Sequence, residues 1–579
     1  MAALVNTLDN YTPTQFGQKG HIEYGWSNNI QEQILQFSFQ VTRTNEDGVS
    51  RLSSVLHNLL TNLKHKVVTG TLPEKEVAKG HLSILYRMIG HTRDIVDGKG
   101  EYTLSYMMIH TWNKFYPLLA VFALRCFVTL DNKDVHQYGS WKDLKYFCEY
   151  CKSQGDSVDS QLIKFSVNLI NSQIRNDYFK FLANSDDISL AAKWAPREKS
   201  SFGWLYESLA ADYFYDVLVT AKTDEQKRRA ILKCKTEYRK VLSALNRKID
   251  TTQVKQCGKE WSKIEFNNVT SITLSKQKKA FLNVKKTGEV RCPDSFDRKT
   301  CADNFNAHIQ RAVKGEIEMK GKRLGMADFT KQAVHLLKNK SSPAEKDLLN
   351  SQWRDNSSQN GALGKMIAMV DVSGSMEGDP MEVAIALGIR IAEKSALGKR
   401  IMTFSANPTW VNLEPYPDFI SQVKVVRNAP WGMNTDFHDA LDLILDAIVQ
   451  NKMTPEDVQD MVLVILSDMQ MDAGDKCDKQ VLYDTMKAKY EAAGIRVNGV
   501  PYKPPHILFW NLKSTSGFPS LANQPNASMM SGFSPALLNL FCEQGLDAFQ
   551  SCTPWSLLVK SLENERYKIM SDKFEETIC

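Results

Sequence analysis

No apolar run in this 579-residue chain is long enough to cross a membrane. The longest, Leu118 to Leu124, stops at Arg125, whereas a spanning helix needs about 20 such residues. The opening residues, Met-Ala-Ala-Leu-Val-Asn-Thr-Leu-Asp, have neither the basic start nor the long apolar core of a signal peptide. The eleven cysteines are odd in number and scattered, so a paired disulfide framework is excluded and a reducing compartment is expected. Enzyme signatures are missing too. There is no H-E-x-x-H, and Gly361-Ala-Leu-Gly364-Lys365 is too short for a phosphate-binding loop. Ser373 follows Asp-Val, not the first half of a G-x-S-x-G elbow. Cys148-Glu-Tyr-Cys151 is a lone C-x-x-C, and Cys292 and Cys301 do not supply the second pair that zinc needs. The expectation is a non-enzymatic cytoplasmic protein, or a virion component if its source is a virus.

What is present is an ordinary globular composition. Hydrophobic residues make up 43%, aromatics 10% and charged residues 24%, which excludes whole-chain disorder. The length allows about three to five domains, or two large ones. The net charge of +6 hides an asymmetry. Residues 361–579 hold 19 basic and 27 acidic side chains, or −8, leaving 53 and 39, or +14, for residues 1–360. Most of that excess lies between Lys222 and Lys299, with 21 basic and 9 acidic residues, or +12. A basic and an acidic half imply separate jobs, or docking of one on the other.

A boundary is expected at Asp355-Asn-Ser-Ser-Gln-Asn-Gly361, which is polar and turn-rich. The spacing before it is helical. Leu52, Val55, Leu56, Leu59, Leu60 and Leu63 share one face, as do Leu82, Leu85, Tyr86 and Ile89. Residues 1–355 therefore read as an all-helical scaffold of stacked hairpins without a fixed repeat. Residues 361–579 alternate strands and helices: strands at 366–370, 401–404, 461–466 and 507–510, helices at 380–396, 435–449 and 481–493. That alternation predicts a doubly wound α/β domain, its parallel sheet covered on both faces and any site at the strands' carboxyl ends.

Three segments occupy such positions. Asp371-Val-Ser373-Gly-Ser375 follows the first strand, Thr435 opens a helix, and Asp468 ends the most apolar strand. Mg²⁺ prefers six oxygens and retains waters. Two serine hydroxyls could bind it directly, Thr435 directly or through water, and the two aspartates could orient waters and hydroxyls. Few carboxylates then neutralise the ion, so an outside carboxylate or phosphate could complete its shell. The loop resembles the Asp-x-Ser-x-Ser loop of the von Willebrand factor A fold. By that resemblance Asp371, Ser373, Ser375, Thr435 and Asp468 form a metal-ion-dependent adhesion site for Mg²⁺ (or Mn²⁺).

Upstream, His91-Thr-Arg-Asp-Ile-Val-Asp-Gly-Lys-Gly100, Tyr138-Gly-Ser-Trp-Lys-Asp143, Ala192-Lys-Trp-Ala-Pro-Arg197, Tyr238-Arg-Lys-Val-Leu-Ser-Ala-Leu245 and Trp261-Ser-Lys-Ile-Glu-Phe-Asn-Asn-Val269 stand out. With the C-terminal half they resemble an uncharacterised family found in plants, fungi and large DNA viruses. Its layout is similar to the Ro autoantigen (TROVE) proteins, in which a HEAT-like helical ring is closed by a von Willebrand A domain and binds RNA. That layout implies single-stranded or structured RNA as a partner. The residues that could track phosphates are Lys227, Arg228, Arg229, Arg239, Lys240, Arg247, Lys248, Lys276, Lys278 and Lys279. Tyr238, Trp261, Phe266 and Phe281 are interleaved and could stack bases, although the period at Tyr238 points inward. The leading expectation is an RNA or ribonucleoprotein scaffold with a Mg²⁺-dependent ligand site. The alternative is a metal-dependent protein–protein adaptor or virion-type subunit, with an acidic protein as ligand.

Overall fold

A computed structural model describes residues 11–578 apart from 131, 133–134, 340, 405–407, 431–436, 471–481 and 545–551. The first described elements are a short antiparallel hairpin, β1 (Thr14–Phe16) and β2 (Ile22–Tyr24), inside the region whose spacing predicts only helices. Helices follow: α1 (Ile30–Gln40), α2 (Glu46–Thr69), α3 (Leu72–Arg93), α4 (Thr103–Asn113), α5 (Pro117–Cys126), α6 (Lys142–Ser153), α7 (Gln161–Leu182), α8 (Ala191–Trp194), α9 (Gly203–Tyr213), α10 (Tyr215–Val219), α11 (Asp224–Ile249), α12 (Thr252–Cys257), α13 (Ser271–Phe281), α14 (Phe296–Val313), α15 (Met326–Lys338) and α16 (Pro343–Ser357). The second half contributes β3 (Met366–Asp371), α17 (Asp379–Lys394), β4 (Arg400–Phe404), β5 (Thr409–Asn412), α18 (Phe419–Arg427), α19 (Phe437–Gln450), α20 (Pro455–Gln459), β6 (Val462–Ser467), α21 (Leu482–Asn498), β7 (His506–Asn511), β8 (Ala527–Ser531), α22 (Asn539–Gln544), α23 (Pro554–Leu562) and α24 (Lys568–Ile578).

The chain is thus α plus α/β. Its six-stranded sheet has the order β5-β4-β3-β6-β7-β8, with β5 antiparallel and every other pair parallel. Strands covered on both faces must be apolar throughout, and β3, β6 and β7 are buried at every position. Successive side chains point to opposite faces, so the sheet serves two cores. Ile367, Met369, Leu463, Ile465, Ile507 and Phe509 join the core of the N-terminal helices. Ala368, Val370, Val464, Leu466, Leu508 and Trp510 join a second core with α15, α17 and α18. A third, smaller core lies among residues 264–348. The last two helices return to the first half, α24 packing on α3 and α5 and α23 on α3.

The expected boundary takes a different form. Helix α16 runs on through Ser357, and Asn356 and Asn360 are buried. The fully buried guanidinium of Arg390 donates to the side-chain oxygens of Asn360 (2.7 Å) and Asn356 (2.9 Å). The carboxylate of Asp355 accepts from the backbone of Gly321 at 2.6 Å. The segment is polar because its side chains satisfy buried partners, and the same composition reads as a solvent-exposed turn.

The N-terminal signatures are structural ties. Arg93 donates to Asp143 through Nε (2.6 Å) and Nη2 (2.8 Å), and the Tyr106 hydroxyl donates to the same carboxylate at 2.8 Å. Asp94 accepts two bonds of 2.7 Å from Arg566, which joins the chain's end to α3. The buried ammonium of Lys99 donates to Ser38 O (3.0 Å), Val41 O (2.9 Å) and Ser531 Oγ (2.7 Å), linking α1 to β8. Gly98 makes the turn possible, since a Cβ there would lie 2.1 Å from the His91 carbonyl oxygen.

A further tie titrates. Glu32, buried on α1, accepts the backbone N–H of Ala522, and burial lifts its carboxyl from 4.5 to about 7. A raised acid pKa means that the folded state keeps a proton the unfolded state has lost, so stability falls as pH rises from about 4.5 to 7. Glu32→Gln still accepts that bond but cannot ionise. It should match the wild type in urea denaturation near pH 4.5 and exceed it at pH 8 by up to roughly 3 kcal/mol. An equal difference at both values would contradict the assignment.

Candidate functional site

The carboxyl ends of β3 and β6 lie side by side in the middle of the sheet, where the strand order reverses. Crevices at such switch points are where α/β sheets bind ligands. Asp371, the last residue of β3, is fully buried, and so is Ser373. Asp371 Oδ1 accepts the Ser373 N–H at 2.9 Å and Oδ2 accepts the Ser467 hydroxyl at 2.6 Å. Both carboxylate oxygens therefore orient neighbours. Burial, with Asp468 adding repulsion, lifts the Asp371 carboxyl to about 6. Ser373 Oγ and Ser375 Oγ are 3.0 Å apart. Two neighbouring ligands of an octahedral Mg²⁺, each at about 2.1 Å, stand about 3 Å apart. The hydroxyl pair and the two carboxylates behind it fit such an ion.

Asp468 is also buried, one residue beyond β6. Its Oδ1 accepts the Gln470 N–H at 3.1 Å, and Met469 between them adopts φ +62°, turning the loop sharply. The structure thus brings Asp371, Ser373, Ser375 and Asp468 together. Thr435 lies outside the described residues. Among the described residues, no three His, Cys, Asp or Glu side chains cluster as a metal site, so this candidate depends on hydroxyls.

Other groups frame the site. Lys513 Nζ donates to the Ser375 carbonyl at 2.7 Å and stands 4.0 Å from Asp468 Oδ2. It sits two residues past β7, a strand-end position that could have flagged it. Gln470 Oε1 accepts the Gln18 N–H at 2.8 Å, and Gln470 Nε2 donates to Glu23 Oε2 at 3.4 Å, placing the β1–β2 hairpin beside the loop. Nothing in the local sequence signals that long-range contact.

The basic window is differently organised from the sequence expectation. Lys227, Arg228, Arg229, Arg239, Lys240, Arg247 and Lys276 are exposed, while Lys248, Lys278 and Lys279 are half-buried. Many have local partners: Lys227 with Asp224 (3.6 Å), Arg229 with Glu225, Arg239 with Glu198 (3.4 Å), Lys240 with Glu237 (2.8 Å) and Lys248 with Asp186 (2.6 Å). These carboxylates all belong to the first half, so the described ion pairs of these residues do not dock the window on the acidic half. Helix α11 also orders its charges along its axis, with Asp224 and Glu225 in the first turn and Arg247 and Lys248 in the last. That complements the helix dipole.

Three of the four interleaved aromatics, Tyr238, Phe266 and Phe281, are buried, and Trp261 is half-buried. Tyr238 is buried and donates to Asn171 Oδ1 at 2.9 Å, and Phe266 and Phe281 are core residues. Trp261 lies under the Arg298 guanidinium at 3.7 Å. Tyr238 and Phe281 lie on the buried faces of α11 and α13. Cys148 and Cys151 are buried together on α6, and burial pushes the Cys148 thiol up to about 12.

Residues 160–359 match a family model described as Domain of unknown function (DUF2828), and residues 365–575 match Domain of unknown function (DUF7788). The chain is also similar to Uncharacterized protein L728 of Acanthamoeba polyphaga mimivirus, 28% identical over 498 residues, covering 83% of this chain and 79% of that protein. A relationship to proteins of large DNA viruses is consistent with this. The two matched segments meet between residues 359 and 365, just ahead of β3.

Proposed function

We propose that the chain is a non-enzymatic scaffold for RNA or ribonucleoprotein, with a Mg²⁺- or Mn²⁺-dependent ligand site in a von Willebrand A-like domain. The observation that carries the reading is the convergence of Asp371, Ser373, Ser375 and Asp468 at the sheet's switch point. When bound, the ion would supply an electrophilic centre for an acidic ligand group. The serine hydroxyls would hold it, and the aspartates would orient hydroxyls and waters. The α/β half touches the helical half at both ends, α15 and α16 at one and α1 and α3 at the other. That supports a TROVE-like layout in which HEAT-like helices are closed by the α/β domain. Among the described residues no helix is long and apolar enough to cross a membrane, and we place the protein in the cytoplasm or a virion.

RNA binding rests on the +14 charge of residues 1–360 and on the exposed basic face of α11. Exposed ion pairs are worth about 0–1 kcal/mol, so phosphates can displace their carboxylates. Replacing Lys227, Arg228 and Arg229 with Glu should weaken binding of a random RNA pool across all sequences and flatten its salt dependence by about 0.7 log units per lost contact. Absence of RNA binding by the wild type at about 50 mM salt, where phosphate contacts are strongest, would leave the adaptor reading. The local carboxylate partners of Lys227, Arg229, Arg239, Lys240 and Lys248 favour that second reading. On it, the metal site captures an acidic protein.

A further inference from the structure

A different surface of the helical half has the features that α11 lacks. Helix α6 and the 191–204 segment come from two of the signatures noted above, and the fold brings them face to face. Tyr146 of α6 packs edge-on against Phe202 at 5.4 Å between ring centres. Lys142 Nζ lies 4.9 Å from the Tyr102 ring and 5.0 Å from the Tyr146 ring. Lys145 Nζ lies 5.2 Å from Tyr146, 5.5 Å from Trp194 and 5.2 Å from Phe202. About two turns further on, Lys152 sits over Trp204 at 4.8 Å, while the Trp204 indole N–H donates to Glu149 at 3.1 Å. A hollow of about 360 Å³ opens beside them, lined by Tyr102, Tyr106, Lys142, Tyr146 and Tyr150 among others.

Two facts separate this surface from the basic window. First, Tyr102 and Tyr146 are exposed (36% and 39%), where the window's aromatics are core or covered. Second, among the described residues Lys142, Lys145 and Lys152 have no carboxylate partner within 4 Å, where the α11 cations are largely paired. The Tyr102 ring also carries the Arg93 guanidinium at 4.1 Å, which leaves Tyr146 as the ring better placed to meet a base. Ammonium groups without carboxylate partners beside a partly exposed ring are the arrangement that binds single strands. The cations follow the backbone while the rings stack bases.

We propose that the surface formed by α6, Tyr102 and residues 194–204 is the single-stranded RNA platform of this protein, with Tyr146 stacking a base and Lys142 and Lys152 meeting phosphates. The assignment rests on the RNA reading above and names its site. An acidic peptide could meet the lysines but would leave the rings unused, so a single-stranded polynucleotide fits the surface better.

The test is fluorescence anisotropy with a labelled twelve-residue oligouridine and the full chain at graded salt. Tyr146→Ala should weaken binding about tenfold and leave the salt slope unchanged, because stacking involves no counterions. Lys142→Gln with Lys152→Gln should weaken it and reduce the log–log slope by about 1.4, or 0.7 for each lost phosphate contact. Unchanged far-ultraviolet circular dichroism melting checks that both variants fold, and the exposed position of Tyr146 makes that outcome expected. Wild-type affinity retained in both variants but lost with the Lys227, Arg228 and Arg229 charge reversal would overturn this site and keep the RNA reading. No binding by the wild type would remove both. Displacement of the oligouridine by oligoglutamate at equal charge concentration would show charge capture alone and also overturn the platform.

Discussion

Asp143→Ala should destabilise the protein by roughly 3–5 kcal/mol, the range for removing one partner of a buried pair. Arg93 and Asp143 are at most 1% exposed. Burial alone would discourage the Arg93 charge, yet Asp143 more than offsets it and holds the guanidinium above its usual range. Without the carboxylate, the cation is left buried and unpaired, and the Tyr106 hydroxyl loses its acceptor. Replacing both partners together, Arg93→Met with Asp143→Leu, should cost much less, because no buried charge remains. Urea denaturation of the single and double variants separates the two. A single-variant loss below about 1 kcal/mol would show that solvent reaches this pair.

The second large effect is on cation affinity. Ser373→Ala with Ser375→Ala should weaken Mn²⁺ binding by at least about 100-fold, since each lost ligand is worth on the order of a factor of ten. Ser373 is buried and Ser375 is half-exposed at the rim, and their hydroxyls lie 3.0 Å apart. Their removal leaves the sheet's packing in place, so the melting temperature without metal should hardly move. Manganese electron paramagnetic resonance reads free and bound ion directly. Equal affinity in wild type and variant would remove the serines from the site.

How legible all this was varies by element. The strands at β3, β4, β6 and β7 showed themselves because a parallel sheet covered on both faces needs uninterrupted apolar runs. β8, Ala-Ser-Met-Met-Ser, has no such run and exists by pairing with β7. That is tertiary context overriding propensity. β5 is a short antiparallel edge strand and α18 a short helix, and neither carries a run long enough to stand out in the sequence. The serine–aspartate loop was readable because its geometry is local: Asp371 bonds to a residue two positions away. Lys513 and the Gln470–Glu23 contact join residues far apart in sequence, where local pattern is silent. The polar signatures around Arg93, Asp94 and Asp143 carry a family resemblance in the sequence, which says nothing of what their charges do. Their charges turned out to be buried and tied to one another and to Arg566. The local pattern puts Asp371 in the loop after the first strand, whereas it is the last residue of that strand and fully buried.

The most direct measurement is calorimetric titration of Mg²⁺ into the full chain and into Asp371→Asn. Asparagine keeps the shape: its one amide oxygen can accept the Ser373 N–H while its NH2 donates to the Ser467 hydroxyl oxygen, so the fold should persist, but the charge behind the serine hydroxyls is gone. The expected result is a wild-type binding isotherm that weakens by about 10- to 100-fold in the variant, as for other groups that orient metal ligands. Equal Mg²⁺ affinity in both proteins, or no binding to the wild type, would contradict a cation site at the end of β3.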